Sequence, residues 1–371
     1  MTAAHAFLDD LSARVRAAAA AGTPLRIRGG GSKDFYGGAL AGEPLDTGGL
    51  AGIVDYEPTE LVLTARAGTP LAEVEAALAE RGQMLAFEPP HFGPGATLGG
   101  AVACGLGGPR AAYAGRPRDF VLGVRMVDGR GRPLRFGGTV MKNVAGYDVS
   151  RLMAGAVGVL GVLTEVSLKV LPVARAEATL AFDFDQAAAL DAVNRWGGQP
   201  LPLSGSAWRD GRLWLRLSGA EAAVDAAVRG LGGKRLDADD ARAFWQGLRE
   251  QTDDWFAWRD PSLPLLRVAL PSTAPPLALG GDTLVEWGGA QRWLASDDLA
   301  AVQAAAKAAG GHAMRFRGPQ AQDRAPPRDG APQPRRFLEA PDPLRLRLHR
   351  RLKQVFDPHG VFNPGRLYPD L

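Results

Sequence analysis

Cysteine is almost absent from this sequence, since Cys104 is the only one in 371 residues. No disulfide can therefore form within the chain, and a cluster held by four cysteines is excluded as well. So little cysteine is typical of a protein that works in a reducing compartment. We therefore expect a cytoplasmic protein with no iron–sulfur cluster of its own.

Histidine is also scarce, with His5, His91, His312, His349 and His359 as the full set. No two of them stand at the spacing of metal ligands on one element, so no metal site is predicted. His91 lies next to a glycine-rich segment and is the one candidate for a catalytic base. A structural or surface histidine is the alternative interpretation of that residue.

Long apolar runs and strong charge bias are missing too. No apolar stretch approaches the ~18 residues of a membrane-spanning helix, and the first residues, MTAAHAFLDD, lack the basic and apolar regions of a signal peptide. The formal net charge is only +3, and the basic residues form no tail or stripe of the kind that binds nucleic acid. Any membrane association is therefore expected to come through partner subunits.

Glycine, in contrast, is abundant and clustered. Three segments are dense in it: "RIRGGGSKDFYGG" (26–38), "FGPGATLGGAVACGLGG" (92–108) and "KNVAGYDVSRLMAGAVGVLGVLTE" (142–165). Such turns let backbone N–H groups approach an anion closely, although neither GxxxxGK[ST] nor a GxGxxG after a strand is present. One glycine turn indicates little, but three beside apolar strands favour one extended ligand with a diphosphate, such as a flavin dinucleotide.

Glycine and tryptophan divide the chain. Of 48 glycines, 29 precede residue 170, whereas all eight tryptophans lie from Trp196 to Trp293, which indicates two domains with a boundary near Pro172. Strand and helix patterns predict a mixed α/β domain over 1–172, with Thr69 as N-cap and Pro70 as first residue of a helix. A smaller α+β domain with an antiparallel sheet is predicted over 173–317, for which a ferredoxin-like arrangement is one candidate. The proline- and arginine-rich segment 318–336 is predicted to be mobile.

Several motifs together resemble a known family. "IRGGGSKDFYG", "GATLGGAVA", "KNVAGYD", "GVLGVLTE" and the terminal "FDPHGVFNPGR" are similar to the FAD-binding domain of the vanillyl alcohol oxidase and p-cresol methylhydroxylase superfamily. Within it, the likeness extends to the FAD-binding E subunits of bacterial glycolate oxidases. The resemblance implies an α+β fold, in which an FAD-binding domain of two α/β subdomains carries a smaller antiparallel-sheet cap. It also implies that residues 337–371 pack back on the FAD-binding domain.

The resemblance also implies a set of cofactor-binding residues. The first glycine loop would hold the FAD diphosphate, with Lys33 as an added charge or as a solvated lysine. The second segment would run along the diphosphate and the flavin ring, the third would pass the nucleotide half, and Asn363 would close the chain over the ring. The implied positions are Gly29, Gly30, Gly31, Ser32, Lys33, Thr97, Leu98, Gly99, Gly100, Gly155, Gly158, Gly161, Val162 and Asn363.

Two departures from the family limit what the chain is expected to do. Ser32 stands where some relatives carry a flavin-linked histidine, which predicts non-covalent FAD. The paired-histidine segment resembling HxxxGDGNxH in catalytic relatives is absent, so no catalytic residue is assigned beyond the candidate His91. Cys104 is interpreted as a packed thiol, with a second flavin linkage as the alternative.

Three hypotheses follow from these features. The first is an FAD subunit of a glycolate oxidase complex that oxidises glycolate to glyoxylate with a catalytic flavoprotein subunit and an iron–sulfur subunit. The second is an autonomous FAD-dependent hydroxy-acid dehydrogenase or oxidase. The third is a structural subunit that has lost FAD. The tryptophan-rich segment is interpreted either as a docking surface for partners or as an ordinary core.

Overall fold

The computed structural model describes residues 3–139, 147–318, 342–369 and 371. The predicted mobile segment 318–336 therefore lies, apart from residue 318, outside the described residues. The helices are Ala3–Ala21 (α1), Leu71–Ala79 (α2), Leu98–Cys104 (α3), Ala111–Ala114 (α4), Pro117–Phe120 (α5), Gln186–Gly197 (α6), Glu221–Leu231 (α7), Ala238–Glu250 (α8), Asp254–Trp258 (α9), Leu299–Ala308 (α10) and Pro343–Phe356 (α11), with 3-10 turns at Arg151–Met153 and Trp287–Gly289.

The strands fall into two groups along the chain. The first group is Leu25–Arg28 (β1), Glu43–Asp46 (β2), Ile53–Glu57 (β3), Val62–Arg66 (β4), Gln83–Met84 (β5), Val121–Val127 (β6), Pro133–Gly137 (β7), Val162–Lys169 (β8) and Leu171–Pro172 (β9). The second is Ala176–Asp183 (β10), Leu203–Arg209 (β11), Arg212–Gly219 (β12), Lys234–Arg235 (β13), Leu265–Ala269 (β14), Thr283–Glu286 (β15), Gln291–Ala295 (β16) and His312–Arg317 (β17).

The N-terminal part of the chain contains a small pair, β5-β9, and two further sheets that frame the glycine segments. β1 and β2 pair in parallel, and β3-β4-β8-β6-β7 form an antiparallel five-stranded sheet. β8 lies at its centre, because six of its eight residues are buried and only Glu165 and Lys169 reach partial exposure. The end of β1 leads straight into the glycines of the first segment, and β8 begins directly after Gly161, the last glycine of the third segment.

Residues 176–317 form one antiparallel eight-stranded sheet with the order β13-β10-β12-β11-β15-β16-β14-β17. It consists of two four-stranded halves, β10–β13 and β14–β17, which meet where β11 pairs with β15. Read from the outer edge of the sheet inward, each half has its fourth strand first, followed by its first, third and second strands. The first half, β10-α6-β11-β12-α7-β13, has the element sequence of a ferredoxin-like unit. The predicted mixed α/β architecture with an antiparallel cap sheet is confirmed.

One hydrophobic core joins the two parts. Leu63 and Val166 of the five-stranded sheet belong to the same buried cluster as Trp293 and Phe316 of the eight-stranded sheet. Most of the tryptophans with described side chains are core residues as well, so these do not form the docking surface that was one interpretation of this segment. The buried tryptophans are Trp196, Trp245, Trp255, Trp287 and Trp293.

The C-terminal segment returns to the N-terminal part after α11. Buried Lys353 of α11 donates from Nζ to the carbonyl oxygens of Val159 (2.9 Å) and Phe362 (2.7 Å), and it forms an ion pair of 2.8 Å with Asp357. The Asp357 carboxylate in turn accepts from the backbone N–H groups of Val361 and Phe362. These contacts fix the terminal turn beside the third glycine segment.

Candidate functional site

The three glycine segments meet around one cleft, together with the C-terminal turn. The cleft encloses about 920 Å³ including its mouth, which is within the range of sites for cofactor-sized ligands. Its walls are residues 27–34, 97–104 and 153–163, closed by Asn363 and Arg366. Of the positions implied by the resemblance, those on the lining are Gly29, Gly30, Gly31, Ser32, Lys33, Thr97, Gly99, Gly100, Gly158, Gly161 and Asn363.

The first glycine loop offers a row of free backbone donors. Among the described residues, no acceptor contacts the N–H groups of residues 29–33, although these residues lie on the cleft wall. Gly31 has φ +74°, a conformation that glycine adopts without strain. A Cβ on Gly30 would lie 1.3 Å from the carbonyl oxygen of Gly95. The bare backbone therefore serves close packing as well as access to the donors.

The second segment forms the opposite wall through the short helix α3. Thr97 is its N-cap, and the Thr97 Oγ1 atom accepts from the Gly100 N–H at 3.2 Å. A Cβ on Gly29 would approach that Oγ1 to 2.4 Å, and one on Gly99 would lie 2.6 Å from the Ala67 Cβ. Leu98 faces away from the cleft and is fully buried, so it supports the wall from behind.

The third segment crosses the cleft in left-handed backbone conformations, with φ +83° at Gly155 and +78° at Gly158. A Cβ on Gly158 would lie 2.5 Å from Asn363 Nδ2, and one on Gly161 would lie 2.2 Å from Met126 Cε. Gly155 and fully buried Val162 are not on the lining. The family motif "KNVAGYD" lies outside the described residues except for Tyr147 and Asp148.

Asn363 ties two of these walls together. Its Oδ1 atom accepts from the Ile27 N–H at 2.8 Å, and its Nδ2 atom donates to the Val157 carbonyl at 2.7 Å. The side chain is buried at 5% exposure and lines the cleft. It therefore holds the C-terminal turn, β1 and the third segment in one arrangement.

Three of the titratable side chains on the lining of the cleft are Lys33, Cys104 and Arg366, and of these Arg366 was not predicted from the sequence. Lys33 donates from Nζ to the His91 carbonyl at 3.2 Å, and burial lowers its pKa. Cys104 stands on the opposite wall, where burial raises the pKa of its thiol. Arg366 binds the carbonyl oxygens of Tyr36 and Gly38. A thiol with a raised pKa is a poor nucleophile, which suits a packed residue.

His91, the candidate base, lies beside the cleft rather than on its lining. Its Nε2 atom is 2.9 Å from Glu75 Oε2, and its backbone N–H donates to Glu250. No group of three or more metal-ligating side chains occurs within 3–139, 147–318 and 342–371 apart from residue 370. The candidate site is therefore a ligand cleft without a built metal centre in the described part.

The cleft fits a dinucleotide diphosphate. Consecutive backbone N–H groups with no acceptor, next to a lysine ammonium, are the donor set that binds such an anion. The apolar side chains of Met153, Leu160 and Leu163 complete the lining and give a flat ring a surface to pack against. The fold and the cleft together have the features of the class of proteins that bind a flavin dinucleotide.

Comparison with known proteins agrees with this class. Residues 6–151 match the FAD binding domain family, and residues 335–367 match the C-terminal domain of FAD linked oxidases. The chain is 50% identical over 352 residues to glycolate oxidase subunit GlcE of Escherichia coli, covering 94% of each chain. It is 32% identical over 128 residues to glycolate oxidase subunit GlcD of Bacillus subtilis, covering 34% of this chain and 27% of that one.

A solved structure shows the same fold. p-Cresol methylhydroxylase with substrate bound superposes with a TM-score of 0.67 at 15% identity, covering 98% of this chain and 87% of the other. The chain belongs to the family of FAD-linked oxidases that includes this glycolate oxidase subunit, and it is an FAD-dependent oxidoreductase subunit. The predicted family and cofactor are thereby confirmed. Among the described residues, no helix combines the length and apolar character needed to cross a membrane.

Proposed function

We propose that this chain is the non-covalent FAD subunit of a complex that oxidises glycolate to glyoxylate and passes the electrons to a partner. The observation that carries the proposal is the identity of 50% to a glycolate oxidase subunit over nearly the whole of both chains. The cleft supports it, because its donors suit the cofactor. The substrate and the partners are inferred from that relative.

The residues of the cleft have distinct tasks in this proposal. The N–H groups of residues 29–32 and the Ser32 hydroxyl bind the diphosphate, and Lys33 balances its charge. Thr97 and Asn363 fix the walls against each other. Bound FAD supplies the two-electron acceptor. The only cysteine, Cys104, is a thiol whose pKa is raised by burial, which favours packing over a covalent flavin linkage.

Partners are needed because this chain has little machinery for the remaining steps. A single cysteine leaves no iron–sulfur cluster to carry electrons onward. No histidine lines the cleft in the described part, and the candidate base His91 lies beside the cleft, in contact with Glu75. We infer that a catalytic flavoprotein subunit and an iron–sulfur subunit supply these functions. Such partners are also the route by which a cytoplasmic chain of this kind would associate with a membrane.

The first experiment tests the cofactor loop with a matched pair of variants. Ser32→Asp places a carboxylate beside the diphosphate, and like charges in contact repel by several kcal/mol in a partly buried site. In Ser32→Asn the new side chain is nearly the same size as that of Ser32→Asp, but it is neutral. We expect FAD affinity to fall at least tenfold in Ser32→Asp and to stay within about threefold of wild type in Ser32→Asn. Equal FAD retention in the two variants, measured as flavin released per chain, would remove the loop from the cofactor site.

The second experiment tests the division of labour. The absorbance spectrum of the chain purified alone is recorded before and after anaerobic glycolate, and again in the presence of the partner subunits. We expect a flavin spectrum that glycolate leaves oxidised in the isolated chain, and reduction only in the complex. Bleaching of the isolated chain would instead establish the autonomous dehydrogenase, with His91 as the first residue to change. Colourless chain that FAD cannot reconstitute would indicate the structural subunit.

A further inference from the structure

A second cavity lies between the N-terminal part and the eight-stranded sheet. Its volume is about 340 Å³ including its mouth, and the segment 106–109 that follows α3 forms one side of it. Phe92 lines this cavity, and its ring centroid is 5.8 Å from the Nζ atom of Lys33, which lines the FAD cleft. The cavity therefore adjoins the cofactor site, and it is large enough for a molecule of a few non-hydrogen atoms.

Arg267 of β14 projects a partly free guanidinium into this cavity. Its Nε atom donates to Gln291 Oε1 at 2.7 Å. Within the described part of the chain, Nη1 and Nη2 have no acceptor, and no carboxylate lies within 4.0 Å of the group. Trp287 and Trp293 flank it, with ring centroids 5.3 and 5.9 Å from Cζ. Arg267 is only partly exposed to solvent, and a guanidinium that has lost part of its hydration is stabilised by an anion. The site can therefore accept one.

Glu286 stands in the same cavity but does not neutralise Arg267. Its Oε2 atom accepts from Gln291 Nε2 at 3.1 Å and from the Trp293 indole, so Gln291 separates the acid from the guanidinium. Burial raises the pKa of Glu286 to about 7. Glu286 Oε1 has no partner among the described residues. In the protonated form this atom is an additional donor toward the cavity.

We propose that this cavity binds a small carboxylate of two or three carbons, with the Arg267 guanidinium as the group that grips the carboxylate. Two free nitrogens of one guanidinium match the two oxygens of a carboxylate. Arg249 also lines the cavity, but it is ion-paired with Glu75 and Glu250. Among the described lining residues this leaves no second unpaired cation for a phosphate ester of sugar size. The proposal deepens the proposed function, on which it rests for the choice of a hydroxy-acid analogue as ligand.

The test is a calorimetric titration of oxalate into the isolated, FAD-loaded chain. Oxalate is the probe because the flavin cannot oxidise it, so binding is measured without turnover. We expect saturable binding to wild type, binding at least tenfold weaker in Arg267→Met, and an intermediate loss in Arg267→Lys, which keeps the charge without the planar fork. Arg315→Met is the matched control, because Arg315 lies on β17 opposite Leu266, on the other face of the same sheet from Arg267.

Each outcome decides the proposal. Unchanged oxalate affinity in Arg267→Met, with its melting temperature close to that of wild type, overturns it. If Arg267→Met loses its fold, the Arg267→Lys comparison decides in the same way. The proposal is also overturned if inorganic phosphate or uncharged oxamide binds as tightly as oxalate. Failure of the proposed function would give a different result from failure of the carboxylate site. In that case glycolate would not reduce the flavin of the complex, while oxalate would still bind the isolated chain.

Discussion

Replacing Glu286 with glutamine is expected to change how the stability of this protein depends on pH. Glu286 is buried between Trp293 and Gln291, and burial raises its pKa from 4.5 to about 7, with a smaller contribution from Asp253 in the same direction and an opposing one from Arg267. The native carboxyl therefore holds its proton more tightly than the unfolded chain does. Between about pH 4.5 and 7 the native state binds more protons, so the unfolding free energy of wild type falls as pH rises.

The magnitude follows from the two pKa values. A difference of about 2.5 pH units, at about 1.4 kcal/mol per unit, gives an upper limit of about 3–4 kcal/mol. Glutamine keeps the acceptor for Trp293 and has no proton to lose, so Glu286→Gln escapes this loss. The stability of the variant relative to wild type should therefore be flat near pH 4, rise through pH 5 to 7, and level off above pH 8.

The assay is denaturant unfolding of both proteins at several pH values, with the difference between them as the readout. Other groups titrate equally in both proteins and cancel from that difference. Glu221→Gln is the control, because Glu221 is exposed in the first turn of α7 and should give a flat difference. A difference that falls with rising pH would mean that Glu286 is an ionised partner of a cation. That result would refute both the raised pKa of Glu286 and a guanidinium of Arg267 that is free to bind a ligand.

The remaining predictions concern the C-terminal turn. Lys353→Met removes the buried ammonium that binds Asp357 and two carbonyl oxygens. Because the Asp357 carboxylate is then buried without a cation, the unfolding free energy should fall by about 3–5 kcal/mol. A loss below about 1 kcal/mol would show that the ion pair contributes little to stability. Asn363→Asp keeps the size of the side chain but cannot donate to Val157. It should destabilise the protein by about 1–3 kcal/mol and weaken FAD binding, and unchanged flavin retention would contradict the role given to Asn363.

Much of the cleft can be predicted from the sequence, because a glycine-dense segment marks places where the backbone itself forms the wall. A position such as Gly158, where φ is positive and Asn363 leaves no room for a Cβ, can hardly be anything else. Leu98 and Val162 share the same motifs but lie behind the walls. Motif membership therefore predicts the segment that forms a wall, whereas the direction of each side chain depends on how that segment packs.

Other parts of the site have no local signal. Arg366 binds the carbonyl oxygens of residues more than 300 positions away, and only the folded chain brings them together. Arg267, Glu286 and Gln291 come from three strands of one sheet and follow no recognisable spacing. Even the predicted N-cap Thr69 has another task, since its hydroxyl bonds Gly52 and Arg66 while α2 starts after Pro70. Tertiary contacts take precedence there over the local capping preference.

The glycines of the cleft have two separable roles, and this separation decides which variants inform about the cofactor. At Gly30 and Gly99 a side chain would collide with neighbouring backbone, so substitutions there act on the fold before they act on FAD. The N–H groups of residues 29–33, in contrast, have no acceptor in the described protein. In the proposed function they bind the ligand directly. Loss of flavin in a Gly30 variant is therefore ambiguous. The variants Ser32→Asp and Ser32→Asn pack alike and differ in charge. The difference in flavin retention between them therefore isolates the interaction with the diphosphate.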